Sequence, residues 1–493
     1  MDFLDPRKKN RQSIQLAIGH TLMALLVIVG TYILVSQAYG FDVDRSSGSV
    51  IRNGLVFIDS APDKAKIYLN GSIQRNPTNT RISVPEGKYN LSIKKDGYRE
   101  WSREFALEGG YVERFTYPML IPDQLQPSSL QTITALPTVG MQSPDRRWVL
   151  LGNATLNEFT QYDLNSLKDK KPTSKNIIFP AGLFSPGTGS HALEVVEWSS
   201  DNKNVLLKHT FSDGFEFIVL NRDDPTKSIN VNRSTNLKPS RVFLRDKKPD
   251  QLYLYTEEGG LLQFVDSKNN KTAQVLTGVT SFKSHGSDIL LYSQPLVNES
   301  TKNRIYFKNG DKTYTIMDVP AAQEIRLDVA QYDGKWYLVV GSSVDKKVYI
   351  YKNPQDYIDS NNGKRPAPIS ILKTTDTIKT VKFSQNTRFI MANSAQHFAV
   401  YDAENDRTYS YDLSVPFDQA VKPDWMDGHR IVVNDGSQTI IFDYDGINIQ
   451  KLVPADKSIP AFFNRDYTFL YSVSPQPSGF DIMQTALRIP QDL

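Results

Sequence analysis

The hydrophobic pattern of the chain changes twice along its length. From Ile14 to Val35 it is continuous, and IQLAIGHTLMALLVIVGTYILV runs for 22 residues without Asp, Glu, Lys or Arg. As a helix this run reaches roughly 33 Å at about 1.5 Å per residue, enough to cross a bilayer core. From Gly54 to Tyr117 the pattern becomes short alternating runs. They predict strands at Gly54–Asp59, Ala65–Leu69, Arg81–Val84, Tyr89–Lys94, Ser102–Leu107 and Val112–Tyr117. Pro62-Asp63, Asn70-Gly71, Pro85-Glu86-Gly87, Asp96-Gly97 and Gly109-Gly110 separate them as turns. Strands this short and this evenly punctuated predict a small all-β sandwich.

Beyond a linker at Pro122–Pro127, a third pattern repeats. SPDRRWVLL (143–151) recurs in altered form as WSSDNKNVLL (198–207), FSQNTRFIMA (383–392) and FNRDYTFLYS (463–472). Each joins a polar turn to a buried strand, and a second strand follows that often ends in Asp, as in EFTQYDL, FEFIVLN and HFAVYDA. Weaker pairs fill the intervals: LYLYT with LLQFVD, ILLYS with RIYFK, WYLVV with KVYIYK, RIVVND with TIIFDYD. The first strands of the pairs start near Trp148, Val205, Leu252, Ile289, Trp336, Phe389, Ile431 and Phe469. Their spacing of about 37 to about 57 residues fits four-stranded propeller blades, eight by this count, with seven as the alternative. The last unit ends with a third strand at Phe480–Leu487. Its fourth is expected from Leu130–Leu136, closing the ring between the two ends of the domain.

The expected fold is thus mainly β, in six parts. These are a tail (1–13), a transmembrane signal-anchor helix (14–38), a linker (39–53), a β-sandwich (54–121), a linker (122–129) and a β-propeller (130–493). Arg7, Lys8, Lys9 and Arg11, against Asp2 and Asp5, flank the apolar run and account for most of the net charge of +3. By the positive-inside rule this flank stays in the cytoplasm and the rest of the chain lies outside. A tail of this size is too small for a signalling domain. Ser36-Gln37-Ala38 is the cleavage-site alternative, but the run exceeds a signal-peptide core of about 7–15 residues. The remainder is nearly balanced in charge, which argues against a nucleic-acid partner. The chain has no cysteine, so disulfides, thiolate metal sites, a cysteine nucleophile and a lipoprotein-type anchor are excluded within it.

The order of turn elements in the sandwich carries a resemblance. Ser60-Ala61-Pro62, Ala65–Gly71 (AKIYLNG), Asn76-Pro77-Thr78, Pro85-Glu86-Gly87 and Lys95-Asp96-Gly97-Tyr98 resemble the PEGA domain over about Gly54–Leu120. Two places depart from that pattern: Lys88 stands where the family name has Ala, and Asn76 where a glycine is usual before the turn. The resemblance implies an extracytoplasmic sandwich of the kind common in bacterial and archaeal surface proteins, not known for catalysis. Adhesion, cell-wall contact and spacing are its proposed roles. Lys94, Lys95, Arg99 and Arg103 are then a candidate basic patch for acidic wall polymers, with a solvated strand face as the plainer reading. The Ser-Pro-Asp turn of the large domain resembles the WD-like repeats of periplasmic propellers such as that of the Tol system.

Catalytic signatures are missing. His20, His191, His209, His285, His397 and His429 show no metal-ligand spacing, and most are expected at solvated strand ends or turns. His20, inside the apolar run, reads as a bystander rather than a proton relay. No nucleophile elbow or P-loop occurs. Asp42-Val43-Asp44 with Ser46 lacks the Gly and the Glu of a calcium loop. Ser143-x-Asp145 is similar to the structural Asp-box turn of sialidase propellers, with Arg146 where Gly is usual. No cofactor or metal is therefore expected. The leading expectation is a non-enzymatic, membrane-anchored surface protein that binds a protein partner or wall polymer through its propeller. The alternatives are an extracytoplasmic glycan hydrolase acting in the propeller channel, and an assembly component that oligomerises through its helix.

Overall fold

The computed structural model describes residues 6–38, 41–43, 50–152, 157–168, 171–186, 189–321 and 325–492. Residues 1–5 of the expected tail and much of the 39–53 linker, with Asp44 and Ser46 of the rejected calcium loop, lie outside them. The chain divides into two compact units that meet between Gln124 and Leu125.

The first unit opens with a helix, Pro6–Ala38. Its stretch Ser13–Ser36 has a mean hydropathy of 2.1, and among the described residues it is the one helix long and apolar enough to cross a membrane. Side chains such as Leu26 and Leu34 stand exposed instead of packing into a core. Part of the expected linker is strand: Phe41–Val43 pairs antiparallel with Val50–Arg52, because the first sandwich strand starts early and spans Val50–Ile58. That strand pairs antiparallel with Thr80–Pro85 and parallel with Val112–Phe115. Facing it is a sheet in the order Ser72–Ile73, Lys66–Leu69, Gly87–Lys94, Trp101–Leu107. Alternating residues of both sheets (Val56, Ile58, Ile67, Leu91, Ile93, Trp101 and Phe115) fill the core between them. Asn70 and Gly71 both take positive φ (49° and 80°), the two-residue hairpin turn that an Asn-Gly pair favours.

The second unit is a ring of four-stranded antiparallel sheets, eight among the described residues, each built from strands consecutive in sequence except the last. The eight strand starts expected from the repeats all fall within one residue of the start of a sheet's second strand: Trp148–Gly152, Asn204–Phe211, Gln251–Thr256, Ile289–Leu296, Lys335–Ser342, Phe389–Ser394, Arg430–Asn434 and Phe469–Gln476. Most positions of these strands are buried on both faces, so their sequences read as runs with an apolar centre, such as FIMA and WYLVV. First strands of neighbouring sheets, such as Ser281–His285, Arg326–Tyr332 and Thr380–Phe383, lie beside one another and line the axis. Apolar clusters join sheet to sheet around the ring. Val205 and Leu207 of the second sheet pack with Leu150 and Phe159 of the first, and Tyr471 and Ile482 of the eighth with Val149 and Leu151 of the first.

Closure corrects one boundary. The last sheet takes its fourth strand from Pro127–Ile133, antiparallel to Gly479–Ala486. Residues 127–129 of the expected linker are therefore strand. Pairing with the open edge satisfies their backbone, and Pro127 sits at the first position, where it interrupts no ladder.

The repeated polar turn has one construction. Ser199 Oγ donates to Asp201 (2.6 Å) and accepts from the Asn204 N–H (2.9 Å), while the Lys203 N–H donates to Asp201 (3.0 Å). Ser143 with Asp145, Ser384 with Asn386, and Asn464 with Asp466 build the same loop. Arg146, Asn202, Thr387 and Tyr467 take the positive-φ position, with φ between 56° and 61°. Replacing the buried Ser199 by Ala should cost about 1 kcal/mol, read as a lowered urea midpoint, because the Asn204 N–H loses its acceptor. An unchanged midpoint would show that the turn is held by its flanks alone.

Candidate functional site

The four basic residues of the expected patch are not brought together. Arg103 pairs across the sheet with the buried Leu91, so it shares the inner face, where it donates to the Tyr117 hydroxyl and lies 6.0 Å from the Phe115 ring. Lys94 is three positions beyond Leu91 and faces outward. There it pairs with Glu100 at 2.9 Å, and that carboxylate holds the ammonium above its ordinary range. Lys95 donates to the Asp63 carbonyl at 2.9 Å, and Arg99 lies in the turn that follows, its N–H donating to Ile121. Strand alternation thus sets Lys94 and Arg103 on opposite faces of one sheet, while Lys95 and Arg99 lie in the connection between its strands.

Four of the six histidines, His191, His285, His397 and His429, lie at strand ends or turns as expected, but two depart from the solvated setting. His209 is fully buried in the second sheet of the ring, and burial pushes His429 down to about 4. His209 is the centre of a polar cluster inside an apolar wall. The hairpin turning at Ser212-Asp213 sets it opposite Glu216, and its Nδ1 lies 3.0 Å from Glu216 Oε1. Its Nε2 lies 2.8 Å from Nδ1 of His191, whose ring is nearly coplanar with it, edge to edge, with centroids 5.1 Å apart and 8° between the planes. Glu216 also accepts from Ser185 N–H (2.7 Å), Ser185 Oγ (2.6 Å) and Asn230 Nδ2 (2.6 Å). Burial raises the Glu216 carboxyl, but the hydrogen bonds from His209, Ser185 and Asn230 prevail and bring it down to about 2. The stabilisation it supplies is present above the ordinary carboxylate range and is lost as pH falls through about 2. Among the described residues no group of three or more His, Asp or Glu is arranged to hold a metal.

Along the axis, charge is paired from sheet to sheet. Glu197 of the second sheet pairs with Lys247 of the third and also accepts from the Leu244 N–H. Lys283 of the fourth faces Asp328 of the fifth at 3.2 Å, and Lys382 of the sixth faces Asp424 of the seventh at 2.6 Å. A glycosidase needs two carboxylates set across the scissile bond, one of them protonated. These three carboxylates each hold a lysine instead. At one end of the ring the turns are tied by a chord: Arg146 of the first sheet and Tyr467 of the eighth both donate to the Met426 carbonyl of the seventh.

One open cleft lies between the third and fourth sheets, with a volume of about 660 Å³. Arg241, Tyr255, Glu257 and Thr280 supply its polar lining, and the Arg241 guanidinium sits 5.8 Å from the Tyr255 ring. Its floor requires Gly260, where φ is +57° and a Cβ would lie 2.5 Å from the Val279 backbone.

These features define a class: a chain with one long apolar helix, a small sandwich module and a β-propeller. The family model of the PEGA domain matches residues 53–119, so the sandwich is a PEGA domain. The propeller is similar to the β-propeller domain of Cps50 (Swd1) from Myceliophteria thermophila, at 10% identity over 73% of this chain and 99% of that one, TM-score 0.38. It is also similar to Hsv2 of Kluyveromyces lactis (10% identity, 65% of this chain and 99% of that one, TM-score 0.41) and to the Dos1 propeller (13%, 74% and 95%, TM-score 0.45). No curated protein matches the chain. The order of the sheets carries the propeller assignment by itself.

Proposed function

We propose that this chain is a membrane-anchored, non-enzymatic binding protein, with residues 1–13 in the cytoplasm, 14–38 as an uncleaved anchor, and the PEGA domain and an eight-bladed propeller outside. The observation that carries the reading is the helix Ser13–Ser36, whose apolar side chains are exposed along its whole length. In water such a surface drives aggregation, and in a bilayer it is the favoured one. The propeller offers rigidly held loops on two faces, and three of its axial carboxylates, Glu197, Asp328 and Asp424, are each paired with a lysine, which favours binding over hydrolysis. The ligand on this reading is a protein partner or a cell-wall polymer, and the cleft lined by Arg241 and Glu257 is its candidate contact.

The test is alkaline carbonate extraction of membranes from bacterial cells expressing the full chain, followed by protease treatment of spheroplasts. The expected result is retention in the pellet and digestion of the PEGA domain and propeller from outside. Release into the soluble fraction, or full protection of the propeller, would overturn the anchor or its orientation. Release of reducing sugar from wall polymer by the purified chain would favour the hydrolase instead.

A further inference from the structure

The buried cluster of the second sheet has only one consistent arrangement of protons. Ser185 N–H and the Asn230 amide both donate to Glu216, whose carboxyl is held down at about 2 and therefore accepts throughout as a carboxylate. Glu216 thus places the His209 proton on Nδ1 and leaves His209 Nε2 as the acceptor of the His191 Nδ1–H. A single chain of hydrogen bonds runs from half-buried His191, through fully buried His209, to Glu216. Phe184 and Phe211 close around His209, with ring centroids 5.1 and 5.2 Å away.

The chain can take up one proton without losing a bond. The proton enters at His191 Nε2, or resides on His209 with the His–His hydrogen bond reversed toward His191 Nδ1. Two added protons would set N–H against N–H across 2.8 Å, between two cations of which His209 is fully buried. We propose that the hydrogen-bonded pair His191–His209 is an acid-operated latch. It keeps one added proton and expels the His191 imidazole on the second, freeing Gly189–Leu193, the lead-in to the axial strand Ala192–Trp198.

Few other charges face the pair. Glu216 touches it directly, and Arg233, on the short helix Val231–Thr235, donates to the Leu183 carbonyl beside it. Asp213 lies in the turn at the hairpin tip. Glu194 and Lys208, opposite each other one register position away, project from the other face of the sheet.

Hydrogen exchange of the full chain in detergent tests the latch, comparing about pH 7.5 with about pH 5 after correction for intrinsic rates. The expected result is a rise of at least about tenfold in opening of the segment 189–195, with the sixth-sheet segment 389–402 unchanged. His191→Gln keeps a neutral hydrogen-bonding group at a half-buried position and should abolish the response. A flat wild-type profile, equal loosening of both segments, or a response that survives in His191→Gln would each overturn the proposal. Should His191→Gln lower protection of 389–402 at the higher pH, His191→Asn replaces it, and the wild-type profile still decides.

Discussion

Replacing Pro127–Ile133 by a Gly-Ser segment of equal length should destabilise the propeller on the order of 5 kcal/mol, the largest effect expected of any local change. The strand closes the ring, and its contribution comes from three sources. Its backbone pairs with Phe480–Thr485 and leaves that edge unpaired when removed. Its side chains bind across the seam: Gln131 accepts from the Tyr162 hydroxyl at 2.7 Å, and Thr132 donates to Asp481 at 2.7 Å. Leu130 and Ile133 cover the cluster of Val149, Leu151, Tyr162, Tyr471 and Ile482 that joins the last sheet to the first. An open ring also loses the constraint that makes weak terminal units cooperative with the rest. Urea unfolding followed by tryptophan fluorescence checks it, since Trp148 and Trp198 lie in the first two sheets. An unaltered midpoint would mean that the ring holds without its seam. Thr132→Ala, which removes one exposed hydrogen bond, should shift the same midpoint by less than about 1 kcal/mol.

The seam also marks the limit of what the sequence reveals. Second and third strands are legible because both faces are buried: Phe389–Ser394 and His397–Asp402 are buried at nearly every position and apolar at their centres. Fourth strands are not, because the outer edge faces water, and Arg407–Asp412 reads as polar loop (RTYSYD). Some first strands are short, down to the two residues Asp424–Trp425, and leave no periodicity to detect. The cluster around His209 was hidden for a different reason. His191, His209 and Glu216 are joined by hairpin register and by a returning loop, not by spacing. The signal that could have found part of it is the turn at Ser212-Asp213, which fixes His209 opposite Glu216. The same reasoning separates Lys94 from Arg103, since strand alternation assigns them opposite faces once Leu91 is placed inside.

Arg388→Met should destabilise the propeller by about 3–5 kcal/mol, whereas Arg304→Met should cost less than about 1 kcal/mol, although both remove a two-pronged arginine–carboxylate pair. Arg388 reaches Asp402 through Nε (2.8 Å) and Nη2 (2.7 Å), and Asp402 is wholly buried. Without the guanidinium, the carboxylate keeps the Glu404 N–H (3.0 Å) and the Asn405 amide (2.9 Å) but has no cation in a site closed to water. Asp318, the partner of Arg304, is about a quarter exposed and retains Arg365 at 2.9 Å. Burial and the spare partner, not bond geometry, set the difference. The Arg388 pair also fastens the sixth sheet's polar turn to its third strand, as Arg147 and Asp163 do in the first. A double variant, Arg388→Met with Asp402→Leu, should recover much of the loss, because the buried charge leaves together with its partner. Urea midpoints of the four proteins decide it, and equal losses in the two single variants would rule out burial as the cause.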